Sequence, residues 1–464
     1  MKTKKQEISQ KKEQTIEPRF AAFKILFAVL EERKFSHMEL QRIFREYPGL
    51  SVRDRAFIEH VVRGTLEHLY EIDACIGECS KLPLKKLKPA IRTVLRLSVY
   101  QLLYMDRVPA RAVCNEAVRL TLRLKFTSLK GYVNGVLRNL SRKLEEGFSV
   151  ISPDAEPLER LKLQYSMPEW ILKRYLHMFG TEKTEQLLNA FMEPVKLSVY
   201  RNPMVYSPEE FPVVLKEAGA ECSPLPFGLD GVYLEQVNQL EKLESFKKGA
   251  FLVQDVSSML QGMVVSAQKG NYIIDVCAAP GGKTFHAAMD MLGSGCVDCA
   301  DLSSDKTALI QENADRLNLK NVKISVRDAS ILEPSLIEKA DIVIADLPCS
   351  GLGIMGRKPE IRYNVTEEDV KSLAILQRKI LDTVWQYVKP GGRLIYSTCT
   401  LTEEEDEENY AYLTRELPFE PESLKPYLPQ GPFSDTLEKG YMKLIPGVHP
   451  FDGFFIGSAV RKKG

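Results

Sequence analysis

The stretch Asp275-Val-Cys-Ala-Ala-Pro-Gly-Gly-Lys-Thr284 decides the fold of the C-terminal half of this 464-residue chain. It follows the short apolar segment Tyr272–Val276 and precedes a helix that the pattern predicts from Thr284. Glycines let a backbone approach a ligand closely, and the N-terminus of a helix offers free N–H donors. A strand, a glycine-rich turn and a helix in this order indicate a ligand-binding unit.

Two common nucleotide-binding motifs do not fit this turn. Gly282-Lys283-Thr284 is similar to the end of a phosphate-binding P-loop, but Cys277 stands where that motif needs its first glycine. A dinucleotide-binding G-x-G-x-x-G pattern is absent as well. The turn therefore suits a ligand that contains a nucleoside and no pyrophosphate. A nucleotide hydrolase remains a distant alternative, which a failure to bind or hydrolyse ATP would exclude.

Strands and helices alternate on the C-terminal side of the turn. This alternation predicts a parallel, doubly wound, Rossmann-like α/β sheet over residues 249–464, whose ligand lies beyond the carboxyl ends of the strands. The predicted strands are Cys296–Ala300, Val322–Val326, Ile342–Ala345, Arg393–Tyr396 and Phe454–Val460, with a helix over Lys306–Leu317.

Three aspartates follow successive predicted strands. Asp301 ends the second strand, at the distance from Gly282 where nucleoside sites place an acid that binds ribose hydroxyls. Asp328 ends the third strand and Asp346 ends the fourth. A single aspartate here is more often a surface turn or a helix cap. Together with the glycine-rich turn, the three indicate one ligand-binding crevice.

Two cysteines lie at strand ends beside this crevice. Cys349 belongs to Asp346-Leu-Pro-Cys-Ser-Gly351, and Cys399 belongs to Tyr396-Ser-Thr-Cys-Thr400. A single strand-end cysteine is usually a small buried residue. A pair near three acids instead indicates a thiolate that attacks an electrophilic carbon. Addition of a thiolate to C6 of cytosine would make C5 nucleophilic enough to accept a methyl group, and Asp346 is placed to assist near N3.

The N-terminal part predicts a helical bundle. Apolar residues recur with a helical period, first at Ala22, Ile25, Leu26, Val29 and Leu30. Residues 1–150 contain 29 Lys and Arg against 17 Asp and Glu, whereas the rest of the chain contains 34 against 45. A basic region joined to an acidic one favours a polyanionic partner, although a solvated basic surface is an alternative.

The domain organisation follows from these patterns. We expect a polar tail over residues 1–16, a helical RNA-binding domain over 17–145, a linker and small α+β connector over 146–248, and the α/β domain over 249–464. No apolar run is long enough to span a membrane, and no secretory signal is evident. Nine scattered cysteines favour reduced thiols, so we expect a cytoplasmic protein. We also expect a monomer without a metal site.

With these residues in view, the chain resembles the Nop2/Sun family of RNA cytosine-C5 methyltransferases, and within it the RsmB (Sun/Fmu) group. The motifs that carry the resemblance occur in the family's order within residues 250–460: Gln254-Asp255-x-Ser-Ser258, Cys277–Lys283, Asp346-x-Pro-Cys-Ser-Gly351, Ser397-Thr-Cys399 and Asp452-Gly-Phe-Phe455. The helical part is similar to the NusB-like RNA-binding domain of this group.

The resemblance implies roles for individual residues. S-adenosyl-L-methionine would bind along Cys277, Ala278, Ala279, Pro280, Gly281, Gly282 and Lys283, with Asp301 at the ribose and Asp328 at the adenine. Asp346 would serve the cofactor or the cytosine. Cys399 would be the nucleophile, and Cys349 would assist product release. The resemblance also implies small-subunit (16S) ribosomal RNA as the substrate.

Three cations follow the Cys349 motif, namely Arg357, Lys358 and Arg362, and we expect them to contact RNA phosphates. Two positions depart from the family pattern. Asp406 replaces a frequent Asn within the dense acidic run Glu403–Glu408, and Leu347 replaces a small residue before Pro-Cys. Two alternatives stay open: a tRNA cytosine-C5 methyltransferase, and a non-catalytic RNA-binding assembly factor with a vestigial cofactor fold.

Overall fold

The computed structural model describes residues 15–152, 154–235, 237, 240–433 and 435–463. The chain forms two compact units. The first comprises the chain up to Met192 together with Arg357–Asn364, and the second comprises Glu193–Gly356 and Val365–Gly464. The predicted polar tail lies almost wholly outside the described residues, although its last residue, Ile16, is already part of a hydrophobic core.

The first unit consists of α-helices, as the apolar period predicts. Ile25, Leu26 and Val29 of the first helix are fully buried in the core that the helices share. None of these helices, and none elsewhere in the described residues, is long and apolar enough to cross a membrane. The helices are α1 (Pro18–Glu32), α2 (Ser36–Glu46), α3 (Val52–Glu67), α4 (Leu69–Cys79), α5 (Pro89–Tyr104), α6 (Ala110–Arg123), α7 (Lys130–Glu145), α8 (Pro157–Gln164) and α9 (Glu169–Ala190).

The first unit extends beyond the predicted domain boundary at residue 145. The backbone N–H of Tyr70 donates to the Ser166 hydroxyl at 3.0 Å, which ties the α8–α9 connection to α4. Helix α9 contains Gly180 at φ 75° and ψ 175°, a conformation outside the helical region. This break divides the helix into one segment before Gly180 and another after it.

The short segment Arg357–Asn364 is part of the first unit although it follows the Cys349 motif in sequence. Glu360 is fully buried, and it accepts hydrogen bonds from the backbone N–H and the hydroxyl of Ser36 at 2.9 and 3.1 Å. These bonds satisfy donors at the N-terminus of α2, where a helix has free N–H groups. The segment is therefore fixed by buried polar contacts as well as by packing.

The second unit contains a small antiparallel sheet within residues 197–253. Its strand order is β2–β3–β1–β4, and its apolar face is buried with Phe211 and Leu215 of helix α10. The elements are β1 (Leu197–Arg201), α10 (Glu210–Glu217), β2 (Glu221–Pro224), β3 (Gly231–Glu235), α11 (Glu244–Lys247) and β4 (Phe251–Val253).

The second unit also contains the large sheet, with strand order β10–β12–β9–β8–β5–β6–β7 and with β11 also pairing with β12. Strands β5 to β9 run parallel, and β12 runs antiparallel to β9. The elements are α12 (Val256–Val265), β5 (Tyr272–Asp275), α13 (Gly282–Asp290), β6 (Cys296–Asp301), α14 (Ser304–Arg316), β7 (Val322–Val326), β8 (Ala340–Asp346), α15 (Ile361–Asn364, in the first unit), α16 (Glu367–Val384), β9 (Val388–Thr398), α17 (Glu407–Arg415), β10 (Phe419–Pro421), β11 (Tyr441–Leu444) and β12 (Phe454–Arg461).

The strand order creates the switch point that doubly wound sheets use for ligands. The chain leaves β5 toward β6 on one side, and later returns to β8 on the other side of β5. Asp275, Asp301 and Asp346 are the last residues of β5, β6 and β8. Since the carboxyl ends of parallel strands meet at one edge, these acids share the edge where α/β sheets bind ligands.

Candidate active site

The glycine-rich turn between β5 and α13 is held by neighbouring backbone. Ala278 N donates to the Ala300 carbonyl at 2.9 Å, and Ala279 N donates to the Asp301 carboxylate at 3.0 Å. Gly281 has φ +106°, and a Cβ there would lie 2.3 Å from the Phe285 ring. Only glycine fits this position, because a side chain would be strained and would also clash.

A cavity of about 190 Å³ opens beside the turn. It is lined by most residues of the predicted cofactor site, namely Cys277, Ala278, Ala279, Pro280, Gly282, Lys283 and Asp346. A Cβ added to Gly282 would meet nothing within 4 Å, so the backbone there faces open space. Burial raises the pKa of the Cys277 thiol, which disfavours this sulfur as a nucleophile.

Asp275 also lines this cavity, a role that the sequence did not assign to it. Its side chain is buried, and one carboxylate oxygen accepts from the Thr284 hydroxyl at 2.6 Å. The other oxygen is buried without a hydrogen-bond partner. Burial raises the pKa of Asp275 to about 7. The cavity thus contains a buried acceptor that is available to a ligand donor.

Asp301 and Asp328 differ in their surroundings. The buried carboxylate of Asp301 accepts from Leu302 N at 2.7 Å and pairs with Lys306 at 2.9 Å, in addition to Ala279 N. Asp328 is exposed, lies two residues beyond the end of β7, and lines a second cavity of about 150 Å³ with Ile274 and Val276. Their predicted contacts with ribose and adenine stay predictions.

Lys283 and Asp346 form an ion pair inside the first cavity. The Lys283 ammonium lies 2.7 Å from one carboxylate oxygen of Asp346, and the other oxygen accepts from the Ser397 hydroxyl at 2.8 Å. Burial opposes the charge on Lys283, but the Asp346 carboxylate outweighs it and the pKa of this lysine is raised. The sequence assigned both residues to the site without predicting that they pair.

The two strand-end cysteines lie together. The Sγ atoms of Cys349 and Cys399 are 3.2 Å apart, longer than a disulfide bond, so the two cysteines are in contact without being joined by a disulfide. Contact with the Cys399 sulfur, and then burial, raise the pKa of the Cys349 thiol well above its usual value. The Cys349 thiol is therefore neutral, and it is placed to share a hydrogen with the sulfur of Cys399. Nearby, Lys283 has Cys399 among the groups that raise its pKa.

The acidic run after Cys399 is partly buried. Glu405 is fully buried, and its carboxylate accepts from the Ser350 backbone N–H at 2.8 Å, from the Ser350 hydroxyl, from Thr402 at 2.9 Å and from Gln377 at 3.1 Å. Burial raises the pKa of Glu405 despite these donors. An acidic run usually indicates a solvated surface, so no local pattern in the sequence predicts this inward carboxylate.

Asp406 is also buried, and it connects the end of β9 to β11. Its carboxylate accepts from the Thr398 hydroxyl at 2.6 Å and pairs with Lys443 at 3.1 Å. Burial raises the pKa of Asp406 to about 7. Lys443 also pairs with Glu407 at 2.6 Å. The departure from the family pattern at Asp406 therefore comes with a lysine that compensates its buried charge.

The predicted RNA-binding cations are not equivalent. Arg362 is 1% exposed, and its guanidinium donates to the backbone carbonyls of Tyr165 and Glu67 at 2.9 and 3.1 Å. The prediction of an RNA contact is therefore wrong for Arg362, because its charge is used inside the first unit. Arg357 and Lys358 are half-buried, and the Lys358 ammonium lies 5.7 Å from the centre of the Phe35 ring. Their predicted RNA contacts stay predictions.

Across the described residues, no group of three or more His, Cys, Asp or Glu side chains could hold a metal ion.

Comparisons with known proteins agree with this architecture. A family model described as 16S rRNA methyltransferase RsmB/F matches residues 262–459, and the NusB family model matches residues 16–142. The two matches coincide with the large sheet and with the helical unit. They also agree with the predicted combination of a NusB-like bundle and a class I methyltransferase fold.

Relatives of similar length match almost the whole chain. A probable ribosomal RNA small subunit methyltransferase B from Bacillus subtilis is 33% identical and covers 96% of this chain and 98% of its own length. A protein of the same name from Synechocystis is 31% identical and covers 96% and 99%. The crystal structure of PH0851 covers 96% of this chain and 99% of its own, with 25% identity and a TM-score of 0.80.

Proposed function

The chain belongs to the RsmB/F family of 16S rRNA methyltransferases, and we propose that it methylates C5 of a cytosine in small-subunit ribosomal RNA through a covalent bond between Cys399 and C6. The observation that carries this proposal is the contact between the Cys349 and Cys399 sulfurs, 3.2 Å apart, beside the Lys283–Asp346 ion pair. This chemistry needs a sulfur that attacks the base, a neutral thiol beside it, and side chains that can donate and accept a proton.

The cavity beside the glycine-rich turn fits S-adenosyl-L-methionine. Open space at Gly282 admits ligand atoms, and the unpartnered carboxylate oxygen of Asp275 offers an acceptor for a ligand donor. The second cavity at Asp328 has apolar walls that suit a flat base. When bound, this methyl donor supplies an electrophilic methyl group on a sulfonium. The residues that would hold it are Cys277–Lys283, Asp301, Asp328 and Asp346.

The nucleophile works because it changes the reactivity of the base. Cytosine C5 is a weak nucleophile, and a bond from the Cys399 sulfur to C6 gives C5 enamine character. The electron pair of the thiolate forms the S–C6 bond, and the ring accepts a proton at N3. Lys283 and Asp346 lie close to Cys399 and would supply that proton. After methyl transfer, the C5 proton leaves to solvent and the S–C6 bond breaks, with its electron pair returning to the Cys399 sulfur. N3 then returns its proton to the Lys283–Asp346 pair, which restores the aromatic ring.

Cys349 is proposed to assist the release of the product. Its thiol is neutral and touches the Cys399 sulfur, so it can stabilise that sulfur when the S–C6 bond breaks. Without Cys349, the Cys399 sulfur would have to leave C6 in a partly buried site with no thiol beside it to donate a hydrogen bond. The covalent complex should then persist longer.

RNA binding is proposed for the helical unit. The stretch Lys81–Lys143 contains fifteen basic residues and only Asp106 and Glu116 as acids. Such a surface attracts phosphates without reading sequence, and its affinity should fall steeply with salt. The target base must also leave any stack to enter a pocket, which favours an unpaired cytosine.

The test is methyl transfer from labelled S-adenosyl-L-methionine to small-subunit ribosomal RNA and to bulk tRNA. We expect label in 5-methylcytosine of the ribosomal RNA, at a single position found by mass mapping. Label in tRNA alone would replace the proposed substrate. Failure to bind the methyl donor would instead indicate a vestigial cofactor fold.

A further inference from the structure

The two cysteines receive very different support from the second unit. Cys399 follows β9 directly, and β9 is paired with β8 on one side and with β12 on the other. The Cys399 carbonyl also accepts from Gly353 N at 3.1 Å. Cys349 lies three residues beyond the end of β8, outside the sheet. Leu347 N still donates to the Ser397 carbonyl at 3.1 Å, but the residues on either side of Cys349 are held by side-chain contacts.

Glu405 supplies two of those contacts. Its carboxylate accepts both the backbone N–H and the hydroxyl of Ser350, the residue after Cys349. The same carboxylate accepts from Thr402, three residues after Cys399. The Ser350 hydroxyl also contacts the Thr400 hydroxyl at 2.7 Å. One buried carboxylate thus joins the Cys349 loop to the Cys399 loop.

A third contact fixes Glu405 itself. The Gln377 amide of α16 donates to this carboxylate at 3.1 Å and to the Pro348 carbonyl at 2.8 Å. Tyr396 donates to the Glu405 backbone carbonyl. The carboxylate is therefore held on several sides, and a buried charge with this many donors is costly to lose. Such a network holds the Cys349 loop and the Cys399 loop in one relative geometry.

We propose that Glu405 is a positioning residue that holds the Cys349 thiol against the Cys399 sulfur and so permits release of the methylated RNA. This inference rests on the proposed function. Loss of Glu405 should free the Cys349 loop more than Cys399, because Cys399 keeps its support from the sheet. The enzyme would then still form the covalent bond to RNA and would break it slowly.

The test is Glu405→Gln, which keeps the side-chain size but has one oxygen fewer to accept hydrogen bonds. We expect kcat to fall by roughly 10- to 100-fold, with the KM for S-adenosyl-L-methionine changed by less than about twofold. We also expect Glu405→Gln to give an RNA-shifted protein band on a denaturing gel, and Cys349→Ala, which removes the thiol itself, to give the same band. General destabilisation would lower adduct formation and turnover together, so adduct accumulation separates positioning from mere stability.

Glu403→Gln is the matched control. Glu403 belongs to the same acidic run but is exposed, so this variant should keep the wild-type kcat and adduct level. Adding Glu405→Gln to Cys349→Ala should not increase the adduct further, because both changes disable the same thiol. Ser350→Ala removes only the hydroxyl contacts, and it should accumulate less adduct than Glu405→Gln. It serves as the test if Glu405→Gln fails to fold.

Two results would overturn the inference, and they differ from each other. If Cys349→Ala accumulates adduct while Glu405→Gln and Ser350→Ala do not, Glu405 does not position Cys349 and the proposed function is unaffected. If no variant and no wild-type sample ever forms an adduct, the covalent chemistry itself is wrong, and this inference is wrong with it.

Discussion

The edge of the large sheet has two halves that are built differently. The cofactor half comprises the ends of β5 and β6 with the turn Cys277–Lys283, and its shape is fixed by a backbone hydrogen bond, by the Asp301 carboxylate and by Gly281. The cysteine half comprises the ends of β8 and β9 with their loops, and its shape is fixed largely by hydrogen bonds to the buried carboxylates of Glu405 and Asp406. The turn of the cofactor half needs a backbone conformation that glycine adopts easily, whereas the loops of the cysteine half depend on side-chain networks around two buried acids.

The difference indicates that the two halves serve different steps of the proposed reaction. A methyl donor presents the same atoms in every turnover, so a rigid backbone cradle suits it. In the proposed reaction, Cys399 binds the base covalently and then releases it, while Cys349 stays in contact with the Cys399 sulfur. Side-chain networks can hold such a geometry in a low-dielectric interior, provided that all their members are satisfied. Variants in the two halves should therefore fail in different steps.

Cys399→Ala should give the largest effect, because it removes the proposed nucleophile from the cysteine half. We expect turnover to fall by more than about 10³-fold while affinity for S-adenosyl-L-methionine stays unchanged. Methyl transfer and donor binding by calorimetry measure the two quantities. Cys296→Ala, on β6, is the control and should retain activity. Substantial activity in Cys399→Ala would show that Cys399 is not the nucleophile, and the two halves would then not differ in function as described.

Asp346→Asn should affect both halves, because Asp346 lines the cofactor cavity and also contacts Ser397 at the end of β9. We expect a loss of roughly 10²-fold in kcat together with a several-fold weaker affinity for the methyl donor. Asp341→Asn lies near the other end of β8 and should change neither. If only donor binding changed, Asp346 would belong to the cofactor half alone.

A comparison of Gly281→Ala with Gly282→Ala should distinguish backbone strain in the turn from steric blocking of the donor-binding cavity. Gly281→Ala introduces a strained φ and a clash with Phe285, so we expect about 1–3 kcal/mol less stability and weaker donor binding. Gly282→Ala meets open space, so it should weaken donor binding roughly tenfold with little loss of stability. Thermal unfolding and calorimetry measure both. Equal stability losses in the two variants would contradict this description of the turn.

The sequence predicts the glycine-rich turn and the acids at the strand ends, because both are local patterns. It also predicts that Cys349 and Cys399 lie at the same edge of the sheet, since parallel strands bring their ends together, but it does not predict that the two sulfurs touch. It does not predict Glu405 or Asp406 as buried, because a run of acids has no period that distinguishes inward from outward side chains. Lys443, which compensates Asp406, lies on a strand far along the chain.

Arg362 is another residue whose burial the sequence does not predict, and in this case the buried charge is a cation. A loop with three cations after a catalytic motif is typical of phosphate binding, and the prediction rested on charge alone. The structure buries Arg362 against backbone carbonyls of the first unit. A buried arginine needs acceptors that no local pattern reveals, because they come from residues more than a hundred positions earlier.

Asp275→Asn should have the smallest effect, on the pH dependence of stability. Burial raises the pKa of Asp275 to about 7 in the folded state, above the unfolded value of about 4. The stabilising contribution of the neutral form is thus complete below about pH 4 and is lost as the pH rises through 7. Asn mimics the neutral form, so the free energy of unfolding should fall less between pH 5 and pH 8, by about 1–3 kcal/mol.

Urea unfolding at the two pH values measures this difference. Asp305→Asn, on the exposed side of α14, is the control and should leave the pH dependence as in the wild type. An Asp275→Asn protein that loses as much stability between pH 5 and pH 8 as the wild type would show that Asp275 is ionised throughout this range.

The most direct test of the central claim is the identity of the residue bonded to RNA. Small-subunit ribosomal RNA containing 5-fluorocytidine should trap the covalent complex with the wild-type protein and S-adenosyl-L-methionine, because fluorine at C5 cannot leave as a proton does. After digestion, mass spectrometry should find the nucleotide on the peptide that contains Cys399. Attachment to the Cys349 peptide, or no attachment at all, would contradict the account.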